Sequence, residues 1–198
     1  MSEIMVQSVY FERQSRGNTE RTLQIAKTRA EELGIRTILV ATTSGATGAR
    51  AAEEFRSFNV VVVTHSMGFK QPNAQELTEE NRRAIEAAGA KILICQHAFG
   101  GVGRAVRKKL GTYELEEIMA YTLRIFGEGM KVACEITLMA ADAGLVRTDE
   151  PAIAIAGTGR GADTALVLRP ANAQTFFDMR IMEILCKPRF DAPRGRMA

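Results

Sequence analysis

A cluster of hydroxyl and glycine residues at positions 42–48, "TTSGATG", offers the clearest chemistry in the sequence. It follows the apolar run "ILVA" and precedes an Ala/Glu-rich segment typical of a helix. Hydroxyl groups, the unpaired amides of a first helical turn and the positive end of the helix dipole together suit an anion. We therefore predict a phosphate-binding loop here. The alternative is that Ser44 or Thr47 only caps the helix.

This loop differs from the P-loop of nucleotide hydrolases, because GxxxxGK[ST] is absent and no lysine lies nearby. Two or three charge-assisted hydrogen bonds of about 1.5 to 3 kcal/mol each, with about 1 kcal/mol from the dipole, must offset an association cost of several kcal/mol. A phosphate alone would bind weakly. A useful ligand must therefore contact other parts of the protein as well.

Further candidates lie in segments that contain glycine and follow apolar runs typical of buried strands. These segments are "THSMGF" (64–69), "QHAFGGVG" (96–103) and "GTGRGADT" (157–164). If the strands are parallel, all three segments lie at the same edge of the sheet as the phosphate loop. His65, His97 and Arg160 would supply polar groups, and Phe69 a flat surface. Either histidine taken alone is more often structural than functional.

Two glycine motifs resemble a dinucleotide-binding fingerprint, "AFGGVGRAV" and "GTGRGA". Such a fingerprint requires a helix directly after the turn and then a strand that ends in an acidic residue. The first motif is followed by about 40 residues of helical pattern, and the second enters another apparent strand. NAD binding is therefore not predicted.

The alternation of apolar runs with helical segments predicts a parallel sheet with helices on both sides. Two long helices follow, in "TYELEEIMAYTLRIF" and "EGMKVACEITLMAADAGL", and then two strands, "AIAIAG" and "TALVLRP". The segment "FFDMRIMEILCKP" fits a strand or a helix, and an edge strand is favoured. We predict a single domain over residues 1–198, in which residues from about 187 to 198 form a poorly ordered basic tail.

The second long helix carries charged residues at helical spacing in otherwise apolar surroundings. They are Glu128, Lys131, Glu135 and Asp142. This spacing is typical of a solvated ribbon with ion pairs. A role at the ligand site stays open for Glu135.

The charge, the cysteine and histidine content and the lengths of the apolar runs argue against several classes of function. The net charge is only +3, and basic residues are scattered beside acidic ones, so we predict no nucleic-acid binding. The widely spaced Cys95, Cys134 and Cys186 indicate reduced thiols in a cytoplasmic protein, and two histidines make a metal site unexpected. No signal peptide is apparent, and no apolar run approaches the roughly 18 residues of a membrane span, so no membrane association is predicted.

The stretch "ILVATTSGATGARAAEEF" resembles the effector-phosphate loop and following helix of the pyruvate kinase C-terminal domain. Ser44 and Gly45 fall on the centre of its Thr-x-Ser-Gly turn, Thr42 on its leading threonine and Thr47 on a later hydroxyl position. Nearly the whole chain is similar to stand-alone proteins with the pyruvate kinase C-terminal-like fold. The segments that carry this similarity are "YFERQSRGNTERTLQIA", "VVVVTHSMGF", "GEGMKVACEITLMAADAGL" and "RGADTALVLRPANAQTFFD".

The resemblance implies an α/β fold, a three-layer α/β/α sandwich whose mostly parallel sheet has an antiparallel edge. It also implies FMN in the cleft, with the phosphate on the loop at 42–47 and the ring system among the other segments. The residues assigned to the cofactor are Asn18, Thr42, Thr43, Ser44, Gly45, Ala46, Thr47, His65, Ser66, Met67, Gly68, Phe69, Gln96, His97, Gly157, Thr158, Gly159, Arg160, Gly161, Asp163 and Thr164. For Asn18, capping of the first helix is the alternative.

Pyruvate kinase activity is not predicted, because the catalytic barrel and its metal and phosphoenolpyruvate residues are absent. Some pyruvate kinase loops carry a basic residue where this chain has Thr43, which argues against a doubly phosphorylated sugar. The predicted function is binding of FMN or a similar phosphorylated small molecule. Two classes stay open: a flavin-dependent oxidoreductase, whose catalytic residues are not assigned, and a non-catalytic sensor related to the effector domain. A homo-oligomer is compatible with both.

Overall fold

The computed structural model describes residues 3–189 of the chain. The strands are β1 (Val9–Phe11), β2 (Thr37–Ala41), β3 (Asn59–Thr64), β4 (Lys91–Ile94), β5 (Ala152–Ala156), β6 (Thr164–Arg169) and β7 (Arg180–Pro188). The helices are α1 (Thr19–Leu33), α2 (Ala46–Glu54), α3 (Glu79–Ala87), α4 (Val102–Leu110), α5 (Leu115–Arg124) and α6 (Glu128–Asp142). Two 3-10 turns, Arg16–Asn18 and Ala173–Asp178, complete the regular elements of this range.

All of these strands form one sheet in the order β1-β7-β6-β5-β2-β3-β4. The strands β2, β3, β4 and β5 are parallel, whereas β6 is antiparallel to both β5 and β7. The predicted α/β fold with a mostly parallel sheet is confirmed. The reversed strand is not outermost, however, because β7 and then β1 extend the sheet beyond it.

The C-terminal apolar segment divides into two elements. Its first three residues, 176–178, form the end of the 3-10 turn Ala173–Asp178, and its second part forms β7, which is a strand as favoured. The edge position does not hold for its last three residues, because Val9–Phe11 pairs with Cys186–Pro188, whereas residues 180–185 pair on their outer side with no described strand. Residues 187 and 188 of the predicted tail therefore belong to the sheet, and residues 190–198 lie outside the described residues.

Alternating strand residues form two cores, one on each face of the sheet. Ile38 and Val40 pack with α1, α2 and α3 on one face, whereas Leu39 packs with α6 on the other. Successive side chains of a strand point to opposite faces, so a strand covered on both sides must be apolar throughout. The third layer is completed by α5, which packs on α6 through Ala120.

A tight turn connects β2 to α2 and creates the predicted phosphate loop. The hydroxyl of Thr42 accepts the amides of Gly45 (3.2 Å) and Gly48 (3.4 Å). The carbonyl of Ser44 accepts the amide of Thr78 at 3.1 Å and the side-chain amide of Asn81 at 2.9 Å. The turn is thus held both to its own helix and to the start of α3. Gly45 is the N-cap residue of α2 and makes no side-chain cap bond of its own. The alternative that Ser44 or Thr47 caps the helix is wrong, because Thr42 takes that role.

Gly45→Ala should lower the free energy of unfolding by about 2 to 4 kcal/mol. Gly45 has φ +97°, and an added Cβ would lie 2.4 Å from Leu77 Cδ1 and 2.5 Å from Asn81 Cβ. Gly34→Ala is the control, because Gly34 also has positive φ (+66°) but no atom within 4 Å of the added Cβ. It should cost only about 1 to 2 kcal/mol. Urea unfolding measures both, and equal losses would contradict the close packing around Gly45.

Candidate functional site

The carboxyl ends of β2, β3, β4 and β5 share one edge of the sheet, where a cleft of about 1070 Å³ lies. The chain continues from β2 to β3 on one side and returns later as β5 on the other, so β2 marks the topological switch point. Sequence-predicted residues that line this cleft are Thr42, Thr43, Ser44, Ala46, Thr47, His65, Phe69, His97, Gly157, Gly159, Arg160 and Gly161. The structure therefore brings the four predicted segments together.

The other predicted residues do not line the cleft. They are Asn18, Gly45, Ser66, Met67, Gly68, Gln96, Thr158, Asp163 and Thr164. Gln96 lines a neighbouring pocket instead. The side chain of Asn18 makes no cap bond to α1 and donates to the carbonyl of Arg13 at 3.0 Å. Asn18 therefore occupies the N-cap position of α1, as the alternative for this residue predicts, but its side chain does not form the cap bond.

Asp163 acts from behind the cleft, as a buried support for the loop after β5. Its carboxylate accepts the amide of Thr158 at 3.2 Å and the hydroxyl of Thr164 at 2.9 Å. Burial raises the pKa of Asp163, and these hydrogen bonds oppose that rise without cancelling it. The residue fixes the shape of the loop that carries Gly157, Gly159 and Gly161 into the cleft.

The start of α2 forms one end of the cleft. Amides in a first helical turn have no carbonyl of the same helix to bond, and Ala46 and Thr47 occupy that turn. The side chains of Ser44 and Ala46 are exposed, and those of Thr43 and Thr47 are half-buried. This end of the cleft therefore offers amides and hydroxyls to an anion, with the positive end of the helix dipole behind them.

Basic side chains surround the same cleft. Among the described residues, Arg16, Arg104 and Arg160 line it without a carboxylate within ion-pair distance. The other basic residues of the lining are paired with acidic ones, as Lys70 with Glu76, Arg124 with Glu128 and Lys131 with Glu135. Three arginines without an acidic partner give the cleft an excess of positive charge, which favours an anionic ligand.

Three flat side chains pack together beside the helix end. Phe69 stacks on His65 with 4.0 Å between ring centroids and on His97 with 4.9 Å, and Arg104 lies 4.9 Å from the Phe69 centroid. His65 Nδ1 lies 2.6 Å from Glu76 Oε2. Burial alone would raise the pKa of Glu76, but His65 and Lys70 outweigh it and lower that pKa. A carboxylate therefore fixes the orientation of the His65 ring.

A buried ion pair on α6 holds the second histidine. Lys131 Nζ lies 2.5 Å from Glu135 Oε2, and their side chains are only 5% and 4% exposed. Glu135 also accepts the amide of Phe99 at 3.0 Å and lies 3.6 Å from His97 Nδ1. Burial alone raises the pKa of Glu135, but the interactions with His97 and Lys131 lower it to about 2. The prediction of a solvated ribbon is therefore wrong for Lys131 and Glu135, which both line the cleft.

His97 has one ring nitrogen without a partner. Its Nδ1 faces Glu135, whereas Nε2 is buried and has no hydrogen-bond partner in the described part of the chain. Buried polar atoms are nearly always hydrogen-bonded, so this nitrogen indicates a ligand or water with a complementary group. His97 is therefore a candidate to hold a polar atom of the bound molecule.

Several site residues gave only weak signals in the sequence. Arg16 lies in the 3-10 turn before α1, Arg104 lies within α4, and Glu76 lies in an irregular segment that joins β3 to α3. Lys131 and Glu135 were visible as an i, i+4 pair in a helix that is apolar on every side, and that lack of a polar face was the signal of burial. A charged pair in such a helix has no solvated face to occupy.

Within residues 3–189, no group of three or more His, Cys, Asp or Glu side chains could hold a metal ion. In the same range, none of the helices has the length and apolar character that crossing a membrane requires. Cys134 and Cys186 are buried, Cys95 is half-buried, and all three are free thiols. Burial raises the pKa of Cys134 to about 12, which makes this thiol unreactive.

The comparison with known families gives one match that covers most of the chain. The family described as "Pyruvate kinase, alpha/beta domain" matches residues 20–168. Among solved structures, a pyruvate kinase from Cryptosporidium parvum shares 17% identity over 77% of this chain and 23% of its own, with a TM-score of 0.41. The same enzyme in complex with ADP shares 18% identity over 77% and 24%, also with a TM-score of 0.41.

An O-ureido-L-serine synthase is more distant, with 20% identity over 64% of this chain and 39% of its own and a TM-score of 0.30. The chain spans about a quarter of the length of the pyruvate kinases that it matches.

Lys131→Met should lower the free energy of unfolding at pH 7 by about 3 to 5 kcal/mol, because it leaves the Glu135 carboxylate buried without its cation. The control is Arg83→Met, which removes an exposed i, i+4 partner of Glu79 and should cost less than about 1 kcal/mol. Chemical unfolding at pH 7 measures both. A loss below 1 kcal/mol for Lys131→Met would contradict the burial of this pair.

The loss of unfolding free energy in Lys131→Met should also depend on pH. In the unmodified chain the lowered pKa of Glu135 stabilises the fold above the ordinary carboxyl pKa of 4.5, and this contribution disappears as the pH falls towards 2. Without Lys131 the pKa of Glu135 should rise, so that protonation relieves the buried charge. The difference in unfolding free energy between the variant and the unmodified chain should therefore be smaller at pH 4 than at pH 7. A difference that grows on acidification would refute this assignment.

Proposed function

We propose that this chain, which belongs to the pyruvate kinase alpha/beta domain family, binds a phosphorylated small molecule in the cleft at the carboxyl ends of β2 to β5, and that the ligand is FMN. One observation carries the proposal: the exposed start of α2 faces a cleft that is also lined by three arginines without an acidic partner among the described residues.

The phosphate end of the ligand has the better-defined set of contacts. The amides of Ala46 and Thr47 and the hydroxyls of Ser44 and Thr47 are available to a dianion, because Thr42 already satisfies the amides of Gly45 and Gly48. Each charge-assisted hydrogen bond contributes about 1.5 to 3 kcal/mol. Two or three of them account for a large preference for a phosphorylated ligand over its unphosphorylated form.

The remainder of the cleft has the size and the chemistry for the rest of such a ligand. Its volume of about 1070 Å³ slightly exceeds the range of about 300 to 1,000 Å³ that is typical of ligand pockets. The rings of His65, Phe69 and His97 form a stacked cluster, and His97 Nε2 offers a buried polar atom. Phe69 covers the faces of both histidines, so the structure supports the phosphate end more directly than the ring end.

FMN, when bound, supplies redox chemistry that no side chain of this cleft can supply. The protein's own residues would bind and orient the molecule. Glu76 fixes His65, and Glu135 fixes His97, so both imidazoles keep a defined direction beside the ligand. Lys131 keeps Glu135 ionised and therefore keeps this orientation at neutral pH.

FMN should bind roughly 30- to 1000-fold more tightly than riboflavin, which lacks the phosphate, equivalent to about 2 to 4 kcal/mol. Ribose 5-phosphate should bind more weakly than FMN, because it lacks the ring system. Calorimetry with the three compounds measures this order, and the visible spectrum of the freshly purified protein shows any flavin already bound. Equal affinities for FMN and riboflavin would remove the α2 loop from the site. Ribose 5-phosphate that binds as tightly as FMN would overturn the flavin assignment.

Ser44→Glu should weaken FMN by about 30-fold or more, because it places a negative charge beside the start of α2, and it should leave riboflavin almost unchanged. The matched control is Ser57→Glu, an exposed position between α2 and β3 that lies outside the cleft. Both variants should unfold at nearly the same urea concentration as the unmodified chain. Equal loss of FMN and riboflavin affinity in Ser44→Glu would show that the phosphate lies elsewhere.

A further inference from the structure

A second pocket, of about 550 Å³, lies next to the cleft and has no role in the proposed function. It is enclosed by the loop from β4 to α4, the start of α5, the end of α6 and the 3-10 turn Ala173–Asp178. His97 and Met139 line both cavities. We call it the α5–α6 pocket. Its volume is ample for a molecule of drug size.

The inner surface of the α5–α6 pocket is apolar. Phe99 and Leu138 are buried there, and Met119, Met139 and Phe176 complete the surface. Phe99 and Phe176 meet edge to face with 5.9 Å between ring centroids. Methionine side chains adapt their shape to irregular apolar ligands, and aromatic edges suit an aromatic guest. The inner surface therefore favours an apolar or aromatic group.

The outer part of the α5–α6 pocket is acidic. Glu116 and Asp142 line it, and none of its lining residues is a lysine or an arginine. Asp142 Oδ1 accepts the side-chain amide of Asn172 and the backbone amide of Ala173, both at 3.0 Å. Within residues 3–189 the other oxygen of Asp142 has no hydrogen-bond partner, so it is available to a donor in the pocket.

The half-buried Cys95 adds no positive charge to this lining. Burial, and then the negative charge of Asp142, raise the pKa of its thiol, so the side chain is neutral. The electrostatic character of the α5–α6 pocket is therefore opposite to that of the cleft, where arginines are in excess. A phosphate is disfavoured in this pocket by the two carboxylates, whereas a cation is favoured.

We infer that the α5–α6 pocket is a second binding site, for a small apolar or aromatic molecule that carries a protonated amine. The apolar part contacts Phe99, Met119 and Leu138, and the ammonium group lies at Asp142 and Glu116. This site is independent of the phosphate site in its chemistry and in most of its residues. The two sites meet at His97 and Met139.

Three probes of equal apolar part and different charge test the inference. They are 4-phenylbutylamine, 4-phenylbutanol and 5-phenylpentanoate. Binding is followed by NMR of methyl-13C-labelled methionine, in which Met119 reports on the pocket and the exposed Met5 serves as an internal reference. The amine should bind about five- to tenfold more tightly than the alcohol, as expected for one partly exposed ion pair, and the carboxylate should bind more weakly than both.

Two pairs of variants locate the site. Asp142→Asn keeps an oxygen for Asn172 and Ala173 but removes the charge, and it should reduce the preference for the amine over the alcohol to about twofold or less. Asp149→Asn, in an exposed loop outside the pocket, should leave the preference unchanged. Ala143→Phe places a ring in the exposed part of the pocket and should abolish the Met119 shift with all probes. Ala105→Phe, an exposed position on α4, should not.

The inference fails if the carboxylate binds as tightly as the amine, or if Met119 does not shift while the protein is saturated with probe. It also fails if sedimentation shows that the chain self-associates and that Ala143→Phe dissociates it, since a second copy would then cover the pocket. FMN affinity is measured on the same variants. An Ala143→Phe protein that loses the amine but keeps FMN separates this site from the phosphate site. Simultaneous loss of both ligands would refute their independence.

Discussion

The parallel pairing of β2 with both β3 and β5 is the constraint on which the site depends. Ile38 pairs with Val60 on one side and with Ile153 on the other, so the three strands end at nearly the same level. Their following loops must therefore leave from one edge, and the start of α2 lies between its neighbours. The apolar alternation that seals both faces of these strands fixes this register, because a slip of one residue would exchange the two cores.

The buried ion pair of Lys131 and Glu135 positions the loop after β4 rather than adding net stability. Removing two charges from water is costly, and the attraction between them rarely yields a net gain in stability. Here the Glu135 carboxylate accepts the amide of Phe99 and faces His97. Both residues belong to the loop after β4, so the carboxylate fixes this loop at two positions. An apolar pair of the same volume would fill the space but would leave this amide and this imidazole without an acceptor.

Local pattern was sufficient to predict the central strands and the edge at which the site lies. "ILVA" and "VVVV" are apolar runs bounded by polar residues, and their parallel arrangement follows from the helices between them. The order at the other side of the sheet was not predictable in the same way. β1 lies near the start of the chain and pairs with β7, which lies near its end. This pairing involves three residues of β1, which are too few to give a periodic pattern in the sequence.

Within the site, the positions that depend on side-chain direction were the ones that the sequence could not resolve. Four hydroxyl residues stand near the start of α2, and only the folded turn shows that Thr42 caps it and leaves Ser44 and Thr47 available. Arg104 lies on α4 near other basic residues, and only the folded chain shows that its guanidinium lies against Phe69 in the cleft. Such contacts depend on tertiary packing between segments far apart in sequence.

The cleft and the α5–α6 pocket share His97 and Met139 but differ in the sign of their charge. The Glu135 carboxylate accepts the backbone amide of Phe99 and faces His97. Phe99 and His97 line the α5–α6 pocket, and His97 and Glu135 line the cleft. A molecule that contacts His97 from either side therefore acts on a ring whose orientation is set by the same carboxylate. Opposite electrostatic character keeps an anion and a cation from exchanging places. Neighbouring sites of this kind can hold two different ligands at once, with a single imidazole between them.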